Sequence, residues 1–333
     1  MKALITASFH PDGLARLRRH MDVVHEDWRA TQKIHFDGHK FAALIQRYQT
    51  DVLIVEADLV HEEVLDHCDL KLIGCCRGDP VNINLDLATA KGIPVLFAPG
   101  RNADAVADLT LAYMLALARH VYTVNHLLKS GQMTFGSTKD YLDVYGTYGG
   151  FELGGVTVGI VGFGAIGRAV ARRLQGFGST LLAFDPFIST EAMAALGAKH
   201  VDLDTLMSES DIVTIHCPEI PETFGLINRE RIDRMKPGAL FLNLARASIV
   251  DDDALYDAAR SGRIAGVALD VFRDEPVRPD NRYVQLPNCL ASPHLGGATR
   301  DVIRHQTELI VDGIERHLRG ERPLHIANPN VYA

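Results

Sequence analysis

Residues 158–167 read VGIVGFGAIG, an apolar strand-like run that leads directly into three glycines. Gly162 makes a tight turn, Gly164 lets a pyrophosphate approach the backbone, and Gly167 lets the next helix pack closely on the strand. The helix predicted to begin near Ala165 directs its first backbone N–H groups at the phosphates. This is the dinucleotide-binding fingerprint in its required context, and it predicts a nicotinamide cofactor.

An acidic residue indicates which cofactor binds. Asp185 ends the next apolar run, LLAFD. A carboxylate at this place accepts hydrogen bonds from the adenosine ribose hydroxyls and repels a 2'-phosphate. The residues that follow, Pro186 and Phe187, supply no cation to neutralise such a phosphate. The sequence therefore favours NAD over NADP.

Length and charge restrict the classes of protein to consider. A chain of 333 residues exceeds what one compact core usually holds, which predicts two domains. The formal net charge of −8 and the pI near 6.0 argue against nucleic acid as a main partner. The N-terminal run MKALITASF is too short for a signal peptide or a membrane span. We expect a cytoplasmic protein without a membrane partner.

The five cysteines show neither CxxC pairs nor the density of a secreted scaffold, which predicts reduced thiols and gives no sign of a metal site. Cys75 and Cys76 end an apolar run and are interpreted as buried small side chains rather than reactive thiols.

The first hundred residues alternate strand-like and helical stretches, the pattern of a parallel α/β unit. Four strand-like runs are ALITAS (3–8), DVLIVEA (51–57), LKLIGCC (70–76) and IPVLFA (93–98). A long helical pattern then runs from about Ala103 to Leu128 and is too apolar for a free surface helix. The stretch 131–150 is predicted to be a surface connection.

A second alternating unit follows from Thr157. Its six strand-like runs are 157–162, 180–185, 211–217, 239–245, 264–270 and 289–293. The fold class is therefore α/β with two parallel-sheet domains: a six-stranded Rossmann NAD-binding domain over 102–298, and a smaller domain over 1–101, completed by 299–333. Ligands in such sheets bind at the carboxyl ends of the strands.

Three residues near those strand ends form a workable catalytic group: Arg246, Glu275 and His294. A carbonyl reduced by hydride transfer needs a proton, and histidine is the natural donor near neutral pH. A carboxylate beside the ring favours its protonated form. Arginine supplies a fixed positive fork that fits a substrate carboxylate. His216 is interpreted as a packing residue rather than an acid or base.

These motifs resemble the D-isomer-specific 2-hydroxyacid dehydrogenase family over nearly the whole chain. GFGAIG (162–167), NLAR (243–246), DVFRDEP (270–276) and SPHLGG (292–297) stand in the family's order and spacing. The resemblance implies that Arg246 binds substrate, Glu275 pairs with the histidine and His294 is the acid/base. It implies a homodimer built through the helix after residue 102. The cofactor contacts would fall on Gly162, Gly164, Ala165, Ile166, Gly167, Asp185, Cys217, Leu244, Ala245, Arg246, Asp270, His294, Gly296 and Gly297.

The resemblance also implies that the smaller domain, 1–101 completed by 299–333, is a flavodoxin-like substrate-binding domain. The family holds the substrate carboxylate with backbone amides of a loop in this domain, here CRGDPVN (76–82). The substrate-binding residues would then be Arg77, Gly78, Arg246 and His294. Two departures stand out: Ala247 replaces the usual glycine, and Asp79 places an acid in a loop expected to receive an anion. Arg77 either contacts a polar or anionic substrate tail or pairs with Asp79, and the sequence leaves both readings open.

The leading functional hypothesis is an NAD-dependent oxidoreductase that interconverts a 2-keto acid and a D-2-hydroxy acid, of the hydroxypyruvate or glyoxylate type or with another polar tail. D-3-phosphoglycerate dehydrogenase is the nearest alternative. An NAD-sensing, corepressor-like interaction protein is the alternative from another class. Formate oxidation is disfavoured, because that branch carries glutamine where Glu275 stands.

Overall fold

The computed structural model describes residues 1–134 and 136–332, which divide into two compact units. The first unit comprises Met1–Asn102 together with the segment from Ala298 onward. The second unit comprises Ala103–Gly297. The chain therefore passes between the units twice, at 102–103 and at 297–298.

Twelve strands and fourteen α-helices lie within the described residues. The strands are β1 (Lys2–Ile5), β2 (Asp22–His25), β3 (Val52–Val55), β4 (Leu72–Cys75), β5 (Val95–Phe97), β6 (Thr157–Val161), β7 (Thr180–Phe184), β8 (Ala198–His200), β9 (Ile212–Ile215), β10 (Leu240–Asn243), β11 (Gly266–Leu269) and β12 (Cys289–Ala291). The helices are α1 (Pro11–Leu17), α2 (Trp28–Thr31), α3 (Gly38–Tyr48), α4 (Glu62–Leu65), α5 (Leu85–Ala90), α6 (Ala103–Ala118), α7 (Val121–Lys129), α8 (Thr138–Tyr148), α9 (Ala165–Gln175), α10 (Thr190–Ala194), α11 (Leu203–Glu209), α12 (Arg229–Arg234), α13 (Asp252–Arg260) and α14 (Arg300–Leu318).

The first unit is built on a five-stranded parallel sheet in the order β2-β1-β3-β4-β5. The sequence patterns predicted four of these strands and missed β2. This strand lies at the sheet edge, pairs with β1, and has no fully buried residue. It therefore lacks the continuous apolar run that marks a buried parallel strand.

The second unit is built on a seven-stranded parallel sheet in the order β12-β11-β10-β9-β6-β7-β8. The predicted α/β class with two parallel sheets is confirmed, but the predicted count of six strands here is wrong. The additional strand is β8, an edge strand of three residues of which only Ala198 is buried. This segment is too short and too polar to show the apolar run by which strands are predicted.

Both faces of the seven-stranded sheet are covered by buried side chains. Along β6, Ile160 belongs to one apolar cluster and Val161 to the cluster on the opposite face. Phe241 and Leu242 divide in the same way on β10. This burial on both sides fixes the sheet and leaves its carboxyl edge as the place for polar groups.

The long helix predicted from Ala103 to Leu128 is two helices, because the chain turns between α6 and α7. His120 takes a left-handed conformation with a φ of 51°. The Ala118 carbonyl, near the end of α6, accepts a hydrogen bond from Phe151 N–H at 3.1 Å. A contact from residues more than thirty positions away thus ends the helix, although the apolar pattern runs on.

The stretch 131–150 was predicted to be a surface connection, and its described residues are exposed or partly exposed, but it also contains the helix α8, which the sequence did not indicate. Ser137 accepts a hydrogen bond from Asp140 N–H at 3.3 Å, and the Asp140 carboxylate accepts from Ser137 N–H at 2.9 Å, forming a capping box. The helix α8 buries none of its side chains. Without a buried face it lacks the apolar periodicity that predicts helices.

The buried interpretation of Cys75 and Cys76 agrees with the structure, where both are fully buried. Burial raises the pKa of the Cys75 thiol to about 12. Across residues 1–134 and 136–332, none of the helices combines the length and apolar character needed to span a bilayer.

Candidate active site

The turn after β6 has the shape that the fingerprint requires. Gly162 has a φ of 90°, and a Cβ there would stand 2.5 Å from Cys217 N. A Cβ on Gly167 would meet the Gly162 carbonyl oxygen at 2.1 Å. Around Gly164 the space is open: beyond Gly164 and its two chain neighbours, no described atom lies within 4 Å of the position of a Cβ.

The helix α9 begins immediately after this open space, at Ala165 and Ile166. Gly164 precedes it and has no side chain to cap it, so the N–H groups of the first turn are free to bind an anion. The open backbone and the uncapped helix start fit the pyrophosphate of a dinucleotide.

Asp185 follows β7 and is tied to the same turn. Its Oδ2 accepts a hydrogen bond from Phe163 N–H at 2.7 Å, and its Oδ1 accepts from Phe187 N–H at 2.9 Å. A carboxylate oxygen can accept more than one hydrogen bond, so both oxygens keep capacity for ribose hydroxyls. The bonds fix the carboxylate beside the fingerprint turn.

Two residues follow β9 directly: His216 is buried, and Cys217 is partly buried. Burial lowers the pKa of the His216 imidazole to about 3, and its Nε2 hydrogen-bonds with Thr214 Oγ1 at 2.9 Å. A ring that stays neutral at physiological pH is not a proton donor, as the sequence interpretation held. Burial also raises the pKa of the Cys217 thiol to about 11.

The turn after β10 presents Arg246. Asn243 clamps this turn: its side-chain amide donates to Arg246 O at 2.9 Å, and its Oδ1 accepts from Ala245 N–H at 3.0 Å. Arg246 Nη1 donates to Ala245 O at 2.8 Å. The guanidinium is about half exposed and is available to an anion.

His294 and Glu275 form a pair at the same edge. His294 Nδ1 lies 2.9 Å from Glu275 Oε2, and Glu275 Oε1 accepts from Phe272 N–H at 3.0 Å. Burial alone would raise the pKa of the Glu275 carboxyl, but the hydrogen bonds from His294 and Phe272 and the charge of Arg246 hold it below its usual value. The carboxylate is thus ionised beside the ring, and Nε2 is the nitrogen left for chemistry.

Asp270 holds the turn that carries His294. This carboxylate is 1% exposed and accepts the N–H groups of Leu295 and Gly296, each at 2.7 Å. The Ser292 hydroxyl also donates to it, and the Tyr113 hydroxyl donates to Ser292 in turn. His294 has a φ of 55°, a backbone conformation that costs a non-glycine residue energy. The Asp270 network fixes it.

Arg77 and Gly78 lie in the first unit, directly after β4. Arg77 O accepts a hydrogen bond from Ala98 N–H at 2.8 Å, and Gly78 is exposed. Among the described residues no salt bridge joins Arg77 to Asp79. The interpretation in which Arg77 pairs with Asp79 therefore has no ion pair to support it in this structure.

Sequence reasoning named Arg246, Glu275 and His294 but missed some of the residues that hold them. Asn243, Ser292 and Tyr113 each act through hydrogen bonds within the second unit. Asn243 and Ser292 stand inside quoted motifs, so their positions were a usable signal. Tyr113 lies in an apolar helix 179 residues before its partner, and nothing in the local sequence indicates it.

The sequence model of the D-isomer-specific 2-hydroxyacid dehydrogenase NAD-binding domain matches residues 111–296. The chain belongs to this family. The matched segment includes the fingerprint turn, Arg246, Glu275 and His294. The predicted family is thereby confirmed.

Relatives of this dehydrogenase agree with the assignment. The chain is 35% identical to the glyoxylate reductase of Thermococcus litoralis, over 85% of either chain. It is 33% identical to the D-3-phosphoglycerate dehydrogenase of Archaeoglobus fulgidus, over 96% of this chain and 58% of that protein. The TT0316 structure from Thermus thermophilus matches with a TM-score of 0.80 and 33% identity, covering 98% of this chain and 100% of that one.

This dehydrogenase is an NAD-dependent oxidoreductase that interconverts 2-keto acids and D-2-hydroxy acids. The predicted cofactor class and reaction are confirmed. The fingerprint turn, the start of α9 and the Asp185 carboxylate described above fit NAD.

Proposed function

We propose that this dehydrogenase reduces a small 2-keto acid of the glyoxylate or hydroxypyruvate type, with Arg246, Glu275 and His294 as the catalytic group. The observation that carries the proposal is the His294–Glu275 pair at 2.9 Å, beside the exposed Arg246 guanidinium. Two relatives named glyoxylate reductase support the substrate class, at 35% and 34% identity.

In this proposal Arg246 binds the substrate carboxylate and polarises the neighbouring carbonyl. When bound, the nicotinamide supplies the hydride to the carbonyl carbon. His294 Nε2 donates a proton to the carbonyl oxygen, so that carbonyl, hydride and proton together give the hydroxyl group. Glu275 holds Nδ1, orients the ring and stabilises its charged form before the transfer. Backbone groups at Arg77 and Gly78 are proposed to bind the substrate as well.

The cofactor contacts are proposed at the residues that the family resemblance implied. The fingerprint glycines and the start of α9 would bind the pyrophosphate, and Asp185 the adenosine ribose. Asp185 would also exclude a 2'-phosphate, so we expect NADH to be preferred to NADPH.

D-3-phosphoglycerate dehydrogenase activity is the second candidate, supported by the 33% identity to the Archaeoglobus fulgidus enzyme. A panel of 2-keto acids assayed with NADH and with NADPH tests both. The proposal expects turnover with NADH to be highest for glyoxylate or hydroxypyruvate. Highest turnover of 3-phosphohydroxypyruvate would favour the second candidate. No turnover of any 2-keto acid would favour the cofactor-sensing alternative.

We propose a homodimer built on α6 and α7. The exposed apolar residues Leu115, Val121 and Tyr122 lie on these helices, and Leu115, Val121 and Arg119 line a depression there. A second copy of the chain would bury this surface. Light scattering should give twice the mass of the chain, and Val121→Asp should weaken association. We also propose that the enzyme works in the cytoplasm, which suits its five free cysteines.

A further inference from the structure

One acidic residue of the second unit faces the substrate-binding arginine and has no part in the mechanism above. Glu219 lies in the loop after β9. Thr223 braces this loop: its hydroxyl donates to Pro218 O at 2.7 Å and accepts from Ile220 N–H at 2.9 Å. Glu219 thus projects from a loop with a defined shape.

The Glu219 carboxylate stands at the side of the Arg246 guanidinium. Glu219 Oε2 lies 3.9 Å from Arg246 Nε, and both side chains are about half exposed. Because Nη1 already donates to Ala245 O, Nε and Nη2 form the edge that a substrate carboxylate can grip with two parallel bonds. Glu219 lies next to that edge.

The charges of the surrounding side chains show how Glu219 affects binding of the substrate. Arg246 contributes one positive charge, and Glu219 and Glu275 contribute two negative ones. A bound monocarboxylate adds a third negative charge to this group. A substrate with an anionic tail adds further negative charge to the same group, and like charges several ångströms apart repel even in a well-solvated site.

We propose that Glu219 determines substrate specificity by charge: it weakens the hold of Arg246 on every 2-keto acid and disfavours anionic tails most. The dehydrogenase then prefers small keto acids with neutral tails, such as glyoxylate and hydroxypyruvate. This inference rests on the proposed function, since it requires Arg246 to bind the substrate carboxylate. Glu219 is a positioning residue, because it acts through the guanidinium.

The test compares hydroxypyruvate with its 3-phosphate, which differ by the anionic group alone. In Glu219→Gln we expect the KM for glyoxylate to fall about threefold to tenfold with kcat within about twofold. The ratio of kcat/KM for 3-phosphohydroxypyruvate to that for hydroxypyruvate should rise by about the same factor. Glu219→Asp, which keeps the charge, should stay near wild type in this ratio.

Glu222→Gln is the matched control, since Glu222 is an exposed acid in the same loop. It should leave KM and the ratio unchanged, and unaltered thermal melting and NADH affinity would show that Glu219→Gln is folded. If the wild type turns over these acids normally but Glu219→Gln gives the same ratio as Glu222→Gln, the role of Glu219 is overturned and the proposed function is not. A wild-type enzyme that turns over none of these acids overturns the proposed function, and the role of Glu219 with it.

Discussion

Two turns at the carboxyl edge of the seven-stranded sheet are held in place by different means. The fingerprint turn is shaped by its own backbone, with Gly162 at a φ of 90° and no room for a Cβ on Gly167. The His294 turn has a non-glycine residue at its strained position and is held by Asp270, more than twenty residues earlier in the chain. The shape of the proposed cofactor-binding turn thus depends on its local sequence, whereas the placement of His294, the proposed acid, depends on tertiary contacts.

The largest loss of NADH affinity is expected from Gly164→Ala, which separates cofactor binding from folding. A Cβ at Gly164 meets no described atom within 4 Å other than those of its chain neighbours, so stability should be nearly unchanged. The same methyl group would block the approach of the pyrophosphate and weaken NADH binding by about a hundredfold, the effect of losing a few kcal/mol of charged hydrogen bonds. Fluorescence titration with NADH measures this loss.

Gly162→Ala is the contrasting variant, because its Cβ would collide with Cys217 N and its φ is positive. It should lower the free energy of unfolding as well as the affinity for NADH. Wild-type NADH affinity in Gly164→Ala would show that the open space does not receive the cofactor.

Asp270→Asn should act on the other turn. The asparagine NH2 group would face one of the backbone N–H groups of Leu295 and Gly296, and two donors cannot form a hydrogen bond. Loss of this buried hydrogen bond should lower the free energy of unfolding by about 1 to 3 kcal/mol. The displaced His294 should reduce kcat by about tenfold to a hundredfold. Thermal melting and steady-state kinetics report the two effects, and normal kcat in a destabilised protein would show that the turn keeps its shape without Asp270.

Glu275→Gln should have a smaller effect, seen best as a pH profile. In the wild type the lowered pKa of the Glu275 carboxyl keeps it ionised as the pH falls through its usual range, and its contribution is lost only at still lower pH. Without this anion the positive charge that the proton donor carries is no longer stabilised, so keto-acid reduction should decline earlier as the pH rises. We expect a loss of about threefold to tenfold at neutral pH. An unshifted alkaline limb would contradict the pairing.

The same contrast between local sequence and tertiary contacts explains which parts of the fold could be predicted. The buried strands and the fingerprint were predictable, because apolar runs and glycines act within a few residues. The edge strands β2 and β8 were missed because they bury little, and the break at His120 was missed because Phe151 causes it.

The features of the candidate active site divide in the same way, into those that sequence motifs indicate and those that tertiary contacts create. The motifs indicated Arg246, Glu275 and His294, and the structure brings Glu275 and His294 to 2.9 Å in the second unit. The strained backbone of His294 and its anchoring by Asp270, Ser292 and Tyr113 depend on side chains that meet only in the folded unit. Such contacts have no periodicity from which they could be predicted.

The most direct test of the central claim is the rate of NADH-dependent glyoxylate reduction by His294→Gln, measured beside NADH affinity in the same preparation. If His294 is the proton donor, kcat should fall by about 10²-fold to 10⁴-fold while NADH binding stays near wild type. A variant that keeps near-native kcat would contradict the account, because another group would then have to protonate the product.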